Sequence, residues 1–135
     1  MTTLAGLEKG YEFPAVSFDL SDQWVDAYVA SVEDEVVAAL DGEFVPPMAI
    51  AALAIRALLE HSSLPPGSLH AGQELAFAAP VRRGETLTVA ARIASRGERA
   101  GWVLMGVELH VARDGVAVMT GRATLSFPVA EGAVA

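Results

Sequence analysis

Apolar and polar positions along the chain change their period twice. Val16, Phe18 and Leu20 alternate with Ala15, Ser17 and Asp19, which predicts a short strand. Ser21 then stands where a helix N-cap belongs, and Asp22 suits the positive end of the helix dipole. Trp24, Val25, Tyr28, Val29 and Val32 recur at helical spacing, so a helix is predicted from about Asp22 to Ser31. A short helical piece through Leu40 and a turn at Asp41-Gly42 are expected next. Val45-Pro46-Pro47-Met48 opens a second helix, because the missing proline N–H has no partner in a first helical turn anyway. This helix is predicted from Pro47 to about His61. Its apolar residues Ile50, Leu53, Ile55, Leu58 and Leu59 do not keep to one stripe, so it should be buried on most sides. Ser62 to Gly67, with two prolines and a glycine, stops it.

From Ser68 onward the period is two. Leu69 to Phe77 is predicted as a strand, with a turn at Pro80 to Gly84. Leu87, Val89, Ala91 and Ile93 share one face of the next strand, and Arg96 to Gly101 is expected to turn. Val103, Met105, Val107, Leu109 and Val111 share one face of another, opposite Leu104, Gly106, Glu108 and His110. Asp114-Gly115 is a strong hairpin signal, and Val116 to Phe127 forms the last strand before Pro128. Short turns make neighbouring strands antiparallel. One nearly all-apolar helix and one curved sheet can bury each other. The expected fold is therefore α+β: a central buried helix wrapped by a curved antiparallel sheet of about five strands, the hot-dog architecture. Such a unit leaves a sheet edge unpaired, so dimerisation through edge strands is expected.

Composition narrows this further. With 135 residues, 53% hydrophobic and 19% charged, one domain over 1–135 is expected, with its core at about 11–128 and a frayed tail from Ala130 to Ala135. No apolar run reaches the roughly 18–20 residues of a membrane span, and Met1 to Gly10 lacks the apolar region of a secretory signal. The chain has no cysteine, which excludes disulfides and thiol nucleophiles and is compatible with a reducing cytoplasm, the expected location. A net charge of -8 argues against nucleic-acid binding. Ten acids and one base fall in residues 1–45, against seven acids and eight arginines in the remainder, so an anionic ligand is better received by the second part.

Two stretches carry a resemblance. His70 to Phe77 followed by Pro80-Val81-Arg82-Arg83-Gly84-Glu85-Thr86-Leu87-Thr88-Val89 resembles the MaoC-like hydratase/dehydratase superfamily, where an aromatic, a Pro-Val, a Gly-Asp/Glu and a β-branched strand recur in that order. Trp24 to Asp34, followed by Val45 to Met48 and its helix, is similar to the N-terminal region of the same family, so the likeness spans roughly residues 11–128. The nearest branch resembles FAS1-like dehydratase domains and the non-catalytic halves of two-part hydroxyacyl dehydratases. The resemblance implies an acyl thioester on CoA or acyl carrier protein as substrate, no cofactor, and addition or removal of water. In the catalytic branch an Asp and a His five residues later, within Gly-Asp-x-Asn-Pro-x-His, exchange protons with that water. Here Asp34 matches the Asp, but Glu33, Val36, Val37 and Ala39 replace the Gly, Asn, Pro and His. An alanine cannot shuttle a proton. The departures imply a subunit that holds the acyl chain, either as a homodimer or beside a partner subunit that carries the dyad.

The residues weighed for this chemistry are few. Asp34 and His70 are the catalytic candidates, His70 because imidazole titrates near neutrality. Pro47, Met48, Ala51 and Ala52 at the head of the buried helix are candidates for contact with the acyl chain, as the alanines either leave a groove or let strands pack closely. Arg82 and Arg83, with Arg96 and Arg99, are candidates for the phosphates of CoA or phosphopantetheine. His61 suits a helix C-terminus and His110 a surface cross-strand position. No histidine pair has metal-ligand spacing, so no metal site is expected. Two other readings stay open: an acyl thioesterase using Asp34, Glu60 or Glu74, and a ligand-binding dimer without chemistry.

Overall fold

The computed structural model describes residues 2–32, 43–60 and 62–129. Asp34, Ala39 and His61, the predicted short helical piece and turn before Glu43, and the tail from Ala130 lie outside the described residues. In chain order the elements are β1 (Thr2–Thr3), a 3-10 turn (Leu4–Gly6), β2 (Val16–Asp19), α1 (Asp22–Val32), α2 (Pro47–Glu60), β3 (Ser62–Ser63), β4 (Leu69–Phe77), β5 (Thr86–Arg99), β6 (Trp102–Arg113) and β7 (Val116–Pro128). The main sheet has five strands in the order β2-β5-β6-β7-β4, and every neighbouring pair is antiparallel. β1 and β3 form a separate two-stranded parallel pair. This is the helix-and-wrapping-sheet architecture expected from the sequence.

The local signals act as physics predicts. The Ser21 hydroxyl accepts a hydrogen bond from the Trp24 backbone N–H at 3.2 Å, so it caps α1. α2 begins at Pro47 and buries Ala49, Ile50, Ala51, Leu53, Ala54, Ala57 and Leu58. The Ser62 hydroxyl donates to the Leu58 carbonyl and satisfies an orphan acceptor at the helix end. Against α2 lie the inward faces of β5 (Leu87, Val89, Ala91, Ile93) and β6 (Val103, Met105, Val107, Leu109, Val111), all buried. Four of the helix alanines are part of this core, so their small side chains serve close helix–sheet approach.

Bulges between Ile93 and Ser95, Val111 and Ala112, and His70 and Gly72 interrupt the ladders. Each adds a residue to one strand and strengthens the local twist, which curves the sheet round α2. The first also corrects the sequence reading. Arg96 and Arg99 are not turn residues; β5 runs through Arg99 and the turn is only Ala100-Gly101. Both have positive φ (53° and 83°), the geometry of a tight two-residue hairpin turn. Asp114 and Gly115 (51° and 79°) make the predicted second one.

Candidate functional site

α2, its preceding segment and the connection from β4 to β5 meet at one end of the molecule. Phe44, Val45, Pro47 and Ile50 form one side of a groove there, and Phe77 to Val81 form the other. Its volume is about 370 Å³, and its lining is predominantly apolar. Backbone hydrogen bonds fix the two sides: Val45 N–H donates to the Val81 carbonyl at 2.8 Å, and Arg83 N–H to the Glu43 carbonyl at 2.8 Å. Phe44 and Phe77 remain 44% and 42% exposed at the mouth. Among the described residues no acidic or basic side chain lines the groove.

Around it the charges are already matched. The Arg82 guanidinium lies 2.7 Å from Glu43 and stacks over Phe44, its carbon 5.1 Å from the ring centroid. Arg83 lies 2.7 Å from Asp26 and 3.5 Å from Asp22, tying α1 to the turn before β5. Arg113 reaches Glu85 at 3.0 Å, and Glu85 in turn accepts from the Arg82 backbone N–H. The head of α2 is poor in donors. Pro46 and Pro47 have no N–H, and the Ala49 N–H is spent on the Pro46 carbonyl at 3.0 Å. A thioester carbonyl at this helix start would meet fewer backbone donors than a proline-free start offers.

The sequence candidates separate in space. Pro47 lines the groove. Met48, 57% exposed, and Ala52, also exposed, are not among its lining residues, and Ala51 is buried in the core. Arg82 and Arg83 flank the groove in ion pairs. His70 lies at the opposite end of β4 from Phe77, on the order of 20 Å away along the strand. Its register partner is Leu125, so it faces the helix side of the sheet, in the open. Ile50, Phe77, Ala78 and Ala79 were not singled out by sequence. The only available signal was the Phe77-Ala-Ala-Pro80 break at the end of a strand.

A second, larger cleft of about 550 Å³ lies on the outer face of the sheet, between Glu74, Glu108, His110 and Arg122. It belongs to a row that crosses the sheet. Arg92 on β5 pairs with Glu108 on β6, Glu108 with Arg122 on β7, and Arg122 with Glu74 on β4; Glu12 bridges to Arg92 beyond the other edge. The Arg92–Glu108 ion pair is 2.6 Å long. Its hydrogen bond above all, aided by Coulomb attraction, holds the Glu108 carboxyl below and the Arg92 guanidinium above their ordinary ranges. Arg122 lies flat over Gly106 and donates to the Ser95 hydroxyl at 2.8 Å. This face is exposed and charged, whereas the groove at the head of α2 is apolar.

These features define the hot-dog class, a sheet curled round one buried helix with an apolar groove at the helix head. Residues 9–121 match the family described as FAS1-like, dehydratase domain region, and the chain belongs to it. Among solved structures it is similar to the (R)-hydratase from A. caviae involved in PHA biosynthesis, with 24% identity, a TM-score of 0.72, and coverage of 91% of this chain and 98% of that one. It is similar to the HadBC (3R-hydroxyacyl-ACP dehydratase) complex from Mycobacterium tuberculosis, with 23% identity, a TM-score of 0.70, and coverage of 92% and 100%. The ChsH1-ChsH2 complex from the same organism gives 14% identity and a TM-score of 0.67 over 88% and 97%. No curated protein matches the chain. Among the described residues no helix is long and apolar enough to cross a membrane.

Proposed function

We propose that this chain is the acyl-binding, non-catalytic subunit of a 3-hydroxyacyl-thioester dehydratase or enoyl-thioester hydratase. The observation that supports the reading is the apolar groove at the head of α2, which can receive an acyl chain and whose lining, among the described residues, holds no acid or base. Ala39 in the place of the dyad histidine, and prolines where backbone donors would polarise a thioester, fit the same division of labour. The groove wall includes Phe77, the last residue of the open edge strand β4, so a second hot-dog subunit paired along that edge would border the groove and could supply Asp and His. The substrate is an acyl-CoA or acyl carrier protein thioester, with Arg82 and Arg83 nearest for its phosphates if they exchange their carboxylates. A cytoplasmic location is part of this reading.

The purified chain alone is expected to leave crotonyl-CoA and longer enoyl-CoAs unhydrated. Reconstituted with the dyad-bearing subunit that co-purifies from its host, it should hydrate them, as followed by loss of enoyl absorbance. Robust turnover by the chain alone would sink the proposal. Asp34→Asn should leave the reconstituted activity largely unchanged, because a lone carboxylate without its histidine is not the proton shuttle.

A further inference from the structure

The charged row on the outer face ends unfinished at the open edge. Its signs alternate from Glu12 through Arg92, Glu108 and Arg122 to Glu74, and β4 is the last strand of the sheet. Arg122, the register partner of Glu74, does not turn toward it; its guanidinium reaches the other way, over Gly106 to Ser95. Among the described residues the Glu74 carboxylate has no ion pair or hydrogen bond. Backbone groups on the outer side of β4 are likewise without a neighbouring strand, and the strand is exposed or half-buried throughout.

A second copy of this chain is a poor match for that edge. β4 carries no lysine or arginine, and its histidine, His70, faces the other side of the sheet. In an antiparallel self-pairing centred on Gln73, Glu74 or Leu75, the two Glu74 carboxylates stand directly opposite, at about 5 Å between Cβ atoms, or diagonal, at about 7–8 Å. Like charges so placed oppose pairing. We infer that β4 is a docking edge for a strand of a different chain, one that sets a lysine or arginine opposite Glu74 and so continues the alternation across the joint. Glu74 is then a specificity residue, acting against the homodimer and for the mixed pair. This rests on the two-subunit reading above and names the chemistry of the partner's edge.

The test needs no substrate. Wild-type chain and Glu74→Lys are each measured alone and then mixed, by sedimentation equilibrium at low and high salt. The mixture is expected to pair about three- to tenfold more tightly than either chain alone, with the preference shrinking in high salt. Glu74→Gln alone should self-associate more tightly than wild type. Because the chain has no cysteine, Gln73→Cys in both components, bridged by a short bis-maleimide, should cross-link the mixed pair and so place the contact at β4. A wild-type homodimer as tight as the mixture and indifferent to Glu74→Gln would overturn the inference. So would a mixture that stays monomeric, or a mixed pair that does not cross-link. A chain that hydrates enoyl-CoA unaided would instead refute the proposed function while leaving this association result as measured.

Discussion

Two glycines show how differently one missing methyl group can matter. At Gly121 a Cβ would come within 2.9 Å of the Glu74 carbonyl oxygen and 3.0 Å of the Leu75 side chain. The first is backbone of the neighbouring strand and can yield only by moving β4. Gly121→Ala is expected to cost about 1–3 kcal/mol in urea unfolding. At Gly106 a Cβ would meet the Arg122 guanidinium and the Ser95 hydroxyl, both at 2.6 Å. These are movable ends of side chains, so Gly106→Ala should cost less while displacing Arg122. Glu108 belongs to the same face. Its folded carboxyl titrates below the ordinary range, so its pairing with Arg92 stabilises the fold above the unfolded carboxylate range and is lost as pH falls through the folded value. Glu108→Gln should therefore lower the melting temperature slightly near neutrality and not in strong acid. At this scale the sequence was partly legible. Ser21 announced its cap because capping is local. The carboxylates that occupy Arg82 and Arg83 could not be read, because Glu43, Asp22 and Asp26 reach them only through the fold.

Elements were more legible than residues, since period and turn chemistry are local properties. α2 was recognisable by its apolar residues on all sides, and β6 and β7 by alternation and the Asp114-Gly115 turn. The far half of β5 was not. An extra residue at the Ala94 bulge breaks the alternation, so a continuous strand reads as a strand followed by a loop. The groove was also hidden, because it is made where the start of α2 meets the end of β4, and neither pattern alone encloses space. The alanines of α2 illustrate the ambiguity: the sequence left both readings open, close packing ahead of a groove, and Ala49, Ala51, Ala54 and Ala57 are packed. Ala54→Leu is expected to overpack the helix against the sheet at about 1–3 kcal/mol. Ala78→Trp is a different probe, since Ala78 is exposed and borders the groove. It should leave stability within about 0.5 kcal/mol and raise the KM of the reconstituted pair for long acyl chains. An unchanged KM would argue that the acyl chain lies elsewhere.

For the molecule as a whole, the sequence carried the architecture and the family further than the chemistry. A fold that depends on one helix and consecutive hairpins can be assembled from local signals and one resemblance. A site of the proposed two-subunit kind cannot, because half of its groups would be on another chain. Three acids of residues 1–45 show the same dependence on the fold: Asp22, Asp26 and Glu43 pair with arginines of the β4–β5 connection.

The open edge of β4 has a further consequence in time. Along an antiparallel edge strand, successive N–H groups point alternately to the neighbour and to water. In the isolated chain, amides of Leu69–Phe77 should therefore exchange deuterium in two interleaved sets, one slowed by β7 and one nearly as fast as in a peptide. A docked strand would capture the fast set and erase the alternation. The exchange pattern of nine residues would then report occupancy of the joint, without substrate, label or mutation.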